Sequence, residues 1–177
     1  MREFLSRWGP PVGEDAGEIA LQNFDAQCEA LLQATPTVVS SIMGLYSPQF
    51  VSELKRRGIA WFATATTVAE AKEAEAAGAD AIIAQGMEAG GHRGAFDASK
   101  AEQQLVGLVS LVAAITDAVK VPVVAAGGIG DGRGVAAALV LGASAAIIGT
   151  AFCVVRKRSC IPRGRTRSPR HSRNRQF

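Results

Sequence analysis

The chain has 177 residues, 48% hydrophobic and 20% charged, with 19 Lys and Arg against 16 Asp and Glu for a formal charge of +3. That balance suits a globular domain able to bury a core and excludes several domains of ordinary size. The charge is unevenly placed: Arg156 to Phe177 carries nine basic residues and no acid, which leaves residues 1–155 with a net charge of −6. Cys28, Cys153 and Cys160 form no CxxC pair and no metal-ligand spacing. With no signal peptide in view, they point to a reducing, cytoplasmic setting, and no metal is expected.

Past the first thirty or so residues, strands are expected to alternate with helices. Residues 24–34 read as a helix. The apolar runs 37–42, 59–64, 79–84, 121–126 and 145–149 read as strands. They are nearly continuous in apolarity rather than alternating, as in parallel strands buried on both faces. Between them, Ser47 can cap a helix with Pro48 at its first position and Gly58 beyond its last turn. Thr67-Val68-Ala69-Glu70 is a capping-box pattern opening a helix that runs to Gly78. The stretch 101–119 places Leu105, Leu108, Val109, Val112 and Ile115 at helical spacing. Asp131 can cap a helix ending at Gly142. Val135 to Val155 lacks any charge, yet Gly142, Ser144, Gly149 and Thr150 interrupt it, so it reads as a buried helix and a buried strand rather than a membrane span. Repeated strand–helix–strand units with short joints imply a parallel β/α architecture, either a small open sheet or part of a barrel.

Two loops, each directly after a strand, carry the candidate chemistry. Gln85-Gly86-Met87-Glu88-Ala89-Gly90-Gly91-His92-Arg93-Gly94 packs glycines around an amide, an acid, an imidazole and a guanidinium. Its glycines let backbone approach a ligand, and His92 can serve as acid, base or hydrogen-bond donor near neutral pH. Ala125 to Gly134 runs from a strand into a helix through Gly127-Gly128-Ile129-Gly130-Asp131, where backbone N–H groups suit a phosphate. No Gly-Lys-Ser/Thr follows, and the glycine spacing does not match a dinucleotide fingerprint. Ile148-Gly149-Thr150 closes the last strand with another small, phosphate-compatible end. Together these loops favour a phosphorylated cofactor.

The string Gln85 to His92, followed by Val123-Val124-Ala125-Ala126-Gly127-Gly128-Ile129 and then Gly149-Thr150, resembles the nitronate monooxygenase family, formerly 2-nitropropane dioxygenases. The resemblance covers about residues 1–153. It implies an FMN-binding (β/α)8 TIM barrel, of which this chain holds about the last five β/α units, and 177 residues is short of the roughly 250 of a whole barrel. It implies oxidation of alkyl nitronates with O2 to a carbonyl compound and nitrite. By position, FMN contacts fall on Gln85, Gly90, Gly91, Gly127, Gly128, Gly149 and Thr150, and His92 is the catalytic residue, binding the nitro group or deprotonating a neutral nitroalkane.

The resemblance divides the chain into a partial FMN-binding barrel domain over residues 1–153 and a basic tail over 154–177. The tail is expected to be disordered, and an out-of-frame origin fits its abrupt composition. Two further classes stay open. One is an FMN-dependent enoyl-[acyl-carrier-protein] reductase, which shares the Glu-Ala-Gly-Gly-His loop but usually has Glu where Gln85 stands. The other is an Arg-tailed RNA binder, although nucleic acid is not the expected partner. The expected partners are a nitronate or nitroalkane and O2, with no membrane. Self-association through exposed barrel edges is a further expectation.

Overall fold

The computed structural model describes residues 2–5, 7–9 and 23–154. The tail expected over 154–177 lies, all but Val154, outside the described residues. Five parallel strands form one sheet in the order of the sequence: β1 (Val38–Ser41), β2 (Ala60–Ala65), β3 (Ala81–Gln85), β4 (Val123–Ala126) and β5 (Ala145–Ile147). They are joined by α3 (Pro48–Arg56), α4 (Val68–Ala76), α5 (Leu108–Ala118) and α6 (Gly132–Val140), while α1 (Arg2–Leu5) and α2 (Phe24–Ala34) precede the sheet. Sequential order without a reversal is the winding of a β/α barrel. A doubly wound sheet reverses at its switch point.

Local sequence explains most of these elements. Ser47 Oγ accepts the Phe50 N–H at 3.3 Å, and Asp131 accepts from Arg133 and Gly134 at 3.0 and 3.3 Å. Thr67 and Glu70 complete the capping box reciprocally. Three helices end in one way. Gly58, Gly78 and Gly142 adopt φ of 70°, 96° and 98°, and the next residue donates back to Leu54, Ala74 and Ala138 at 2.9, 3.0 and 3.0 Å. These are glycine-closed C-termini, and each feeds a strand directly.

Alternation along the strands sorts their side chains between two faces. Trp61, Ala63 and Ala65 of β2, Ile82 and Ala84 of β3, and Val123 and Ala125 of β4 join Leu54, Ala71, Ala74, Leu111, Val112 and Ile115 in one buried cluster. Small strand residues let the helices sit close, and Trp61 fills the remaining volume with its indole N–H donating to Ser41 Oγ at 3.0 Å. The opposite face is arranged in rows by register: Thr64, Ile83, Val124 and Ala145 form one row, and Gln85, Ala126 and Ile147 the next.

Two expectations are corrected. The helix expected from residue 101 begins at Leu108. Residues 98–100 form a single 3-10 turn, Leu105 is exposed, and the buried stripe of α5 is Leu111, Val112 and Ile115, with Val109 65% exposed. Gly107 ends the helical run because the Glu88 carboxylate takes the Leu108 N–H, with both oxygens at 3.0 Å, and so supplies an external start for the helix. The charge-free run after Val135 is not buried throughout either. Only Ala138 of α6 is buried, and Leu139, Val140 and Ile147 are exposed. Among the described residues, no helix is long and apolar enough to cross a membrane.

A surface cluster ties α2 to this frame. Glu53 accepts from Arg56 Nε and Nη2 at 2.8 and 2.6 Å and from Arg57 Nε at 2.6 Å, and Arg57 Nη1 reaches the Leu32 carbonyl of α2 at 2.9 Å. Hydrogen bonds from Arg56 and then Arg57 hold the Glu53 carboxyl down to about 2, against an ordinary 4.5. Because the folded value is depressed, its contribution to stability is complete above pH 4.5 and is lost as pH falls toward 2. A carboxyl-carbon NMR titration should give a Glu53 midpoint near 2 in the parent chain. In an Arg56→Ala, Arg57→Ala double variant the midpoint should return to the ordinary glutamate range.

Candidate functional site

The row Gln85, Ala126 and Ile147 lies at the C-terminal ends of β3, β4 and β5. The loops that leave these strands continue upward from it and enclose a cleft of about 530 Å³, lined by Gln85, Glu88 to Gly90, Ala126 to Gly130, Ile147 and Gly149 to Ala151. Six of the eight site residues expected from sequence meet there: Gln85, Gly90, Gly127, Gly128, Gly149 and Thr150. Gly91 and His92 do not line it. They follow Gly90 directly, and both are exposed.

The loops meet backbone to backbone, which explains the glycines. A Cβ on Gly127, at φ 126°, would lie 3.0 Å from the Ala89 nitrogen, and one on Gly128, at φ 64°, would lie 3.1 Å from Glu88 Cβ. At Gly90 it would lie 3.0 Å from Thr150 Oγ1. At Gly86 it would overlap Glu88 Oε2 and fall 2.7 Å from Leu108 Cβ, so α5 could not dock. By contrast, a Cβ on Gly130 or Gly149 would meet nothing within 4 Å, so that backbone is open to the solvent side of the cleft. Among the described residues, the N–H groups of Gly128, Ile129, Gly130, Gly149 and Thr150 have no protein acceptor. Such an array of free donors from two strand ends suits the oxygens of a phosphate.

Polar side chains then hold the long connection from β3 to α5. Gln85, only 8% exposed, donates from Nε2 to the His92 carbonyl at 3.0 Å and accepts the Gly94 N–H on Oε1 at 2.7 Å. The Arg93 guanidinium turns back under the loop. Its Nη1 donates to the carbonyls of Gln85 and Gly86 at 3.1 and 2.9 Å, and its Nη2 to that of Gln104 at 3.2 Å. Glu70, buried at the start of α4, accepts from the Thr66 N–H, Thr66 hydroxyl and Thr67 N–H on Oε2 at 2.6, 2.8 and 3.2 Å. Its Oε1 takes the Phe96 N–H at 2.8 Å. The loop bearing His92 is therefore pinned on both sides of the imidazole while the side chain itself stays free.

Glu88 and Arg93 belong to the glycine-rich candidate loop, but nothing in their local sequence signals these tasks. Glu88 is the anion at the α5 N-terminus, and Arg93 replaces secondary structure with contacts to three carbonyls. Glu70 was legible as a capping residue, but nothing local in its sequence signals its bond to Phe96, 26 positions away. At the start of α6, Asp131 is held below the ordinary carboxylate range by Arg133 and by the N–H groups of Gly134 and Arg133. Among the described residues, no three His, Cys, Asp or Glu side chains are grouped so as to hold a metal ion.

A family model described as nitronate monooxygenase matches residues 12–161. Over 121 residues the chain is 49% identical to the nitronate monooxygenase of Paraburkholderia phytofirmans, covering 68% of this chain and 33% of that protein. A solved nitroalkane oxidase from Streptomyces ansochromogenes superposes with a TM-score of 0.70 at 48% identity, covering 73% of this chain and 38% of the other. FabK from Thermotoga maritima superposes with a TM-score of 0.60 at 33% identity over 85% of this chain and 45% of its own. The chain thus spans about a third of the length of the curated relatives it matches.

Replacing Glu70 by Gln leaves the loop geometry sterically unchanged but turns one acceptor into a donor facing buried donors. Unpaired buried groups cost about 1–3 kcal/mol. Urea unfolding of Glu70→Gln should show a loss in that range, with faster amide exchange at Phe96. An unchanged midpoint would show that the bond across to Phe96 contributes nothing.

Proposed function

The chain belongs to the nitronate monooxygenase family, and from this we propose that its cleft holds FMN and that His92 serves the oxidation of alkyl nitronates by O2 to a carbonyl compound and nitrite. The supporting observation is the cradle itself. Two strand ends, at Gly128 to Gly130 and Gly149-Thr150, present unpaired N–H groups at one open cleft at the carboxyl edge of the sheet. Phosphate sites in β/α barrels occupy that place. The residues fit the group: the backbone is free of Cβ where an anion must approach, and the cleft volume of about 530 Å³ lies within the range of cofactor sites.

In this reading Gly127, Gly128, Gly149 and Thr150 hold the phosphate through backbone N–H groups and the Thr150 hydroxyl. Gln85 and Gly90 form the wall nearest the His92 loop, and Gly91 carries the backbone round to His92 through a positive φ of 83°. When bound, FMN supplies the redox chemistry between nitronate and O2. His92 supplies what the flavin lacks, a group able to hold or remove a proton near neutral pH. For a neutral nitroalkane it takes the proton from the carbon bearing the nitro group. For a preformed nitronate it donates a hydrogen bond to a nitro oxygen.

The likeness to FabK keeps an enoyl reductase as the second reading. Position 85 weighs against it. The acid expected there in a reductase could not donate to the His92 carbonyl, whereas the amide of Gln85 does so at 3.0 Å.

The purified full chain should take up FMN and turn yellow, and Gly128→Ala should weaken that uptake, since its Cβ would lie 3.1 Å from Glu88 Cβ and push apart the two loops that form the cleft. His92→Ala should lower turnover of a neutral nitroalkane far more than turnover of its nitronate. Equal losses on both would remove the base role. NADH-dependent reduction of an enoyl thioester, with nitronates untouched, would replace the proposal by the second reading.

A further inference from the structure

Gln85 stands between the cleft and the His92 loop and touches both. It lines the cleft with Gly90 and Ala126, it is nine-tenths buried, and it bonds the backbone on either side of Arg93. A carboxamide offers two N–H donors and two lone pairs. One N–H goes to the His92 carbonyl and one lone pair to the Gly94 N–H, so half its capacity is spent on the loop and half has no partner among the described residues. The amide cannot be turned over, because its nitrogen faces a carbonyl and its oxygen faces an N–H.

The loop side of this clamp is tightly built. A Cβ on Gly94 would fall 2.7 Å from Thr64 Cγ2 and 3.2 Å from Gln85 Oε1, so only glycine lets the chain come within reach of the amide. The cleft side depends less on Gln85, since the free N–H groups of the β4 and β5 ends are available without it. An occupant that engages the remaining N–H or lone pair of Gln85 restricts the same side-chain torsions that set the His92 carbonyl and the Gly94 nitrogen.

We propose that Gln85 is a positioning residue that couples occupancy of the cleft to the placement of His92, rather than chiefly a contact that supplies cofactor affinity. This rests on the reading of the cleft as an FMN site and of His92 as its reactive group. It assigns to one amide the task of ordering the His92 loop when the cofactor arrives.

The test uses the full chain, titrated with FMN and followed by amide exchange at Gly94, by the imidazole NMR signals of His92 and by flavin fluorescence. In the parent, FMN should slow Gly94 exchange at least tenfold and shift the His92 signals. In Gln85→Leu, Gly94 should exchange at least tenfold faster than in the parent without FMN. Added FMN should bind within about tenfold of the parent affinity yet leave Gly94 and His92 unmoved. Gln85→Glu keeps an acceptor for Gly94 but no donor for His92, so it should restore Gly94 protection and not the His92 response. Should Gln85→Leu fail to fold, Gly94→Ala removes the clamp from the loop side and should likewise abolish the His92 response to FMN. Binding of FMN to the parent with no change at Gly94 or His92 would overturn the coupling and leave the cofactor reading standing, as would a Gln85→Leu chain that keeps the full response. A loss of FMN affinity far beyond tenfold in Gln85→Leu would overturn it in favour of a plain ligand role. If FMN does not bind the parent, the cofactor reading falls and the coupling with it.

Discussion

The site depends on a close approach that side chains would forbid. At the carboxyl edge of the sheet, the segments leaving β3 and β4 touch backbone to backbone, with Gly127 and Gly128 against Glu88 and Ala89, and Gly90 reaches Thr150 beyond β5. Parallel strands with sequential order bring these ends side by side, and the register puts Gln85, Ala126 and Ile147 in one row beneath them. A methyl group at Gly127 would force the two loops apart and with them the donors that line the cleft. Where the backbones pack this closely, the N–H groups of Gly128 to Gly130, Gly149 and Thr150 are left without a protein acceptor among the described residues, and unpaired backbone donors of this kind are the chemistry that suits an anion.

The connection from β3 to α5 meets the opposite problem. It is long, with little regular structure beyond one 3-10 turn, so its polar backbone groups need partners that secondary structure does not provide. Side chains supply them: buried or half-buried Gln85 for His92 and Gly94, Arg93 for three carbonyls and Glu70 for Phe96, and exposed Glu88 for Leu108. Each of these partners is itself anchored on a strand end, a helix start or the loop. The result is a loop whose backbone is fixed by an amide from β3, a carboxylate from α4 and its own Glu88 and Arg93, while the His92 side chain is exposed.

Local chemistry was legible where a single short segment decides it. Caps at Ser47, Thr67 and Asp131 and helix-closing glycines at Gly58, Gly78 and Gly142 appear at the expected positions, because their hydrogen bonds run between residues a few positions apart. The start of α5 was misread for the converse reason. Leu105 and Leu108 have helical spacing, but the helix begins where Glu88, 20 residues earlier, captures an N–H. Burial of α6 and β5 was overestimated because apolar composition cannot say which side of an element meets a neighbour.

From the amino-acid order alone came the alternation of strands and helices, the family resemblance, and the glycine-rich strings that mark the site, since all of these rest on spacing within a segment. The strand pattern alone left an open sheet and a barrel both open, and the resemblance pointed to the barrel. The tertiary structure shows its winding, and only it brought six of the eight expected residues into one cleft and left Gly91 and His92 outside its lining. It also gave Gln85 a second attachment, to the loop as well as the cleft. Those outcomes depend on contacts between segments tens of residues apart, where the order of strands and the closeness of backbones are set by packing rather than by any local preference.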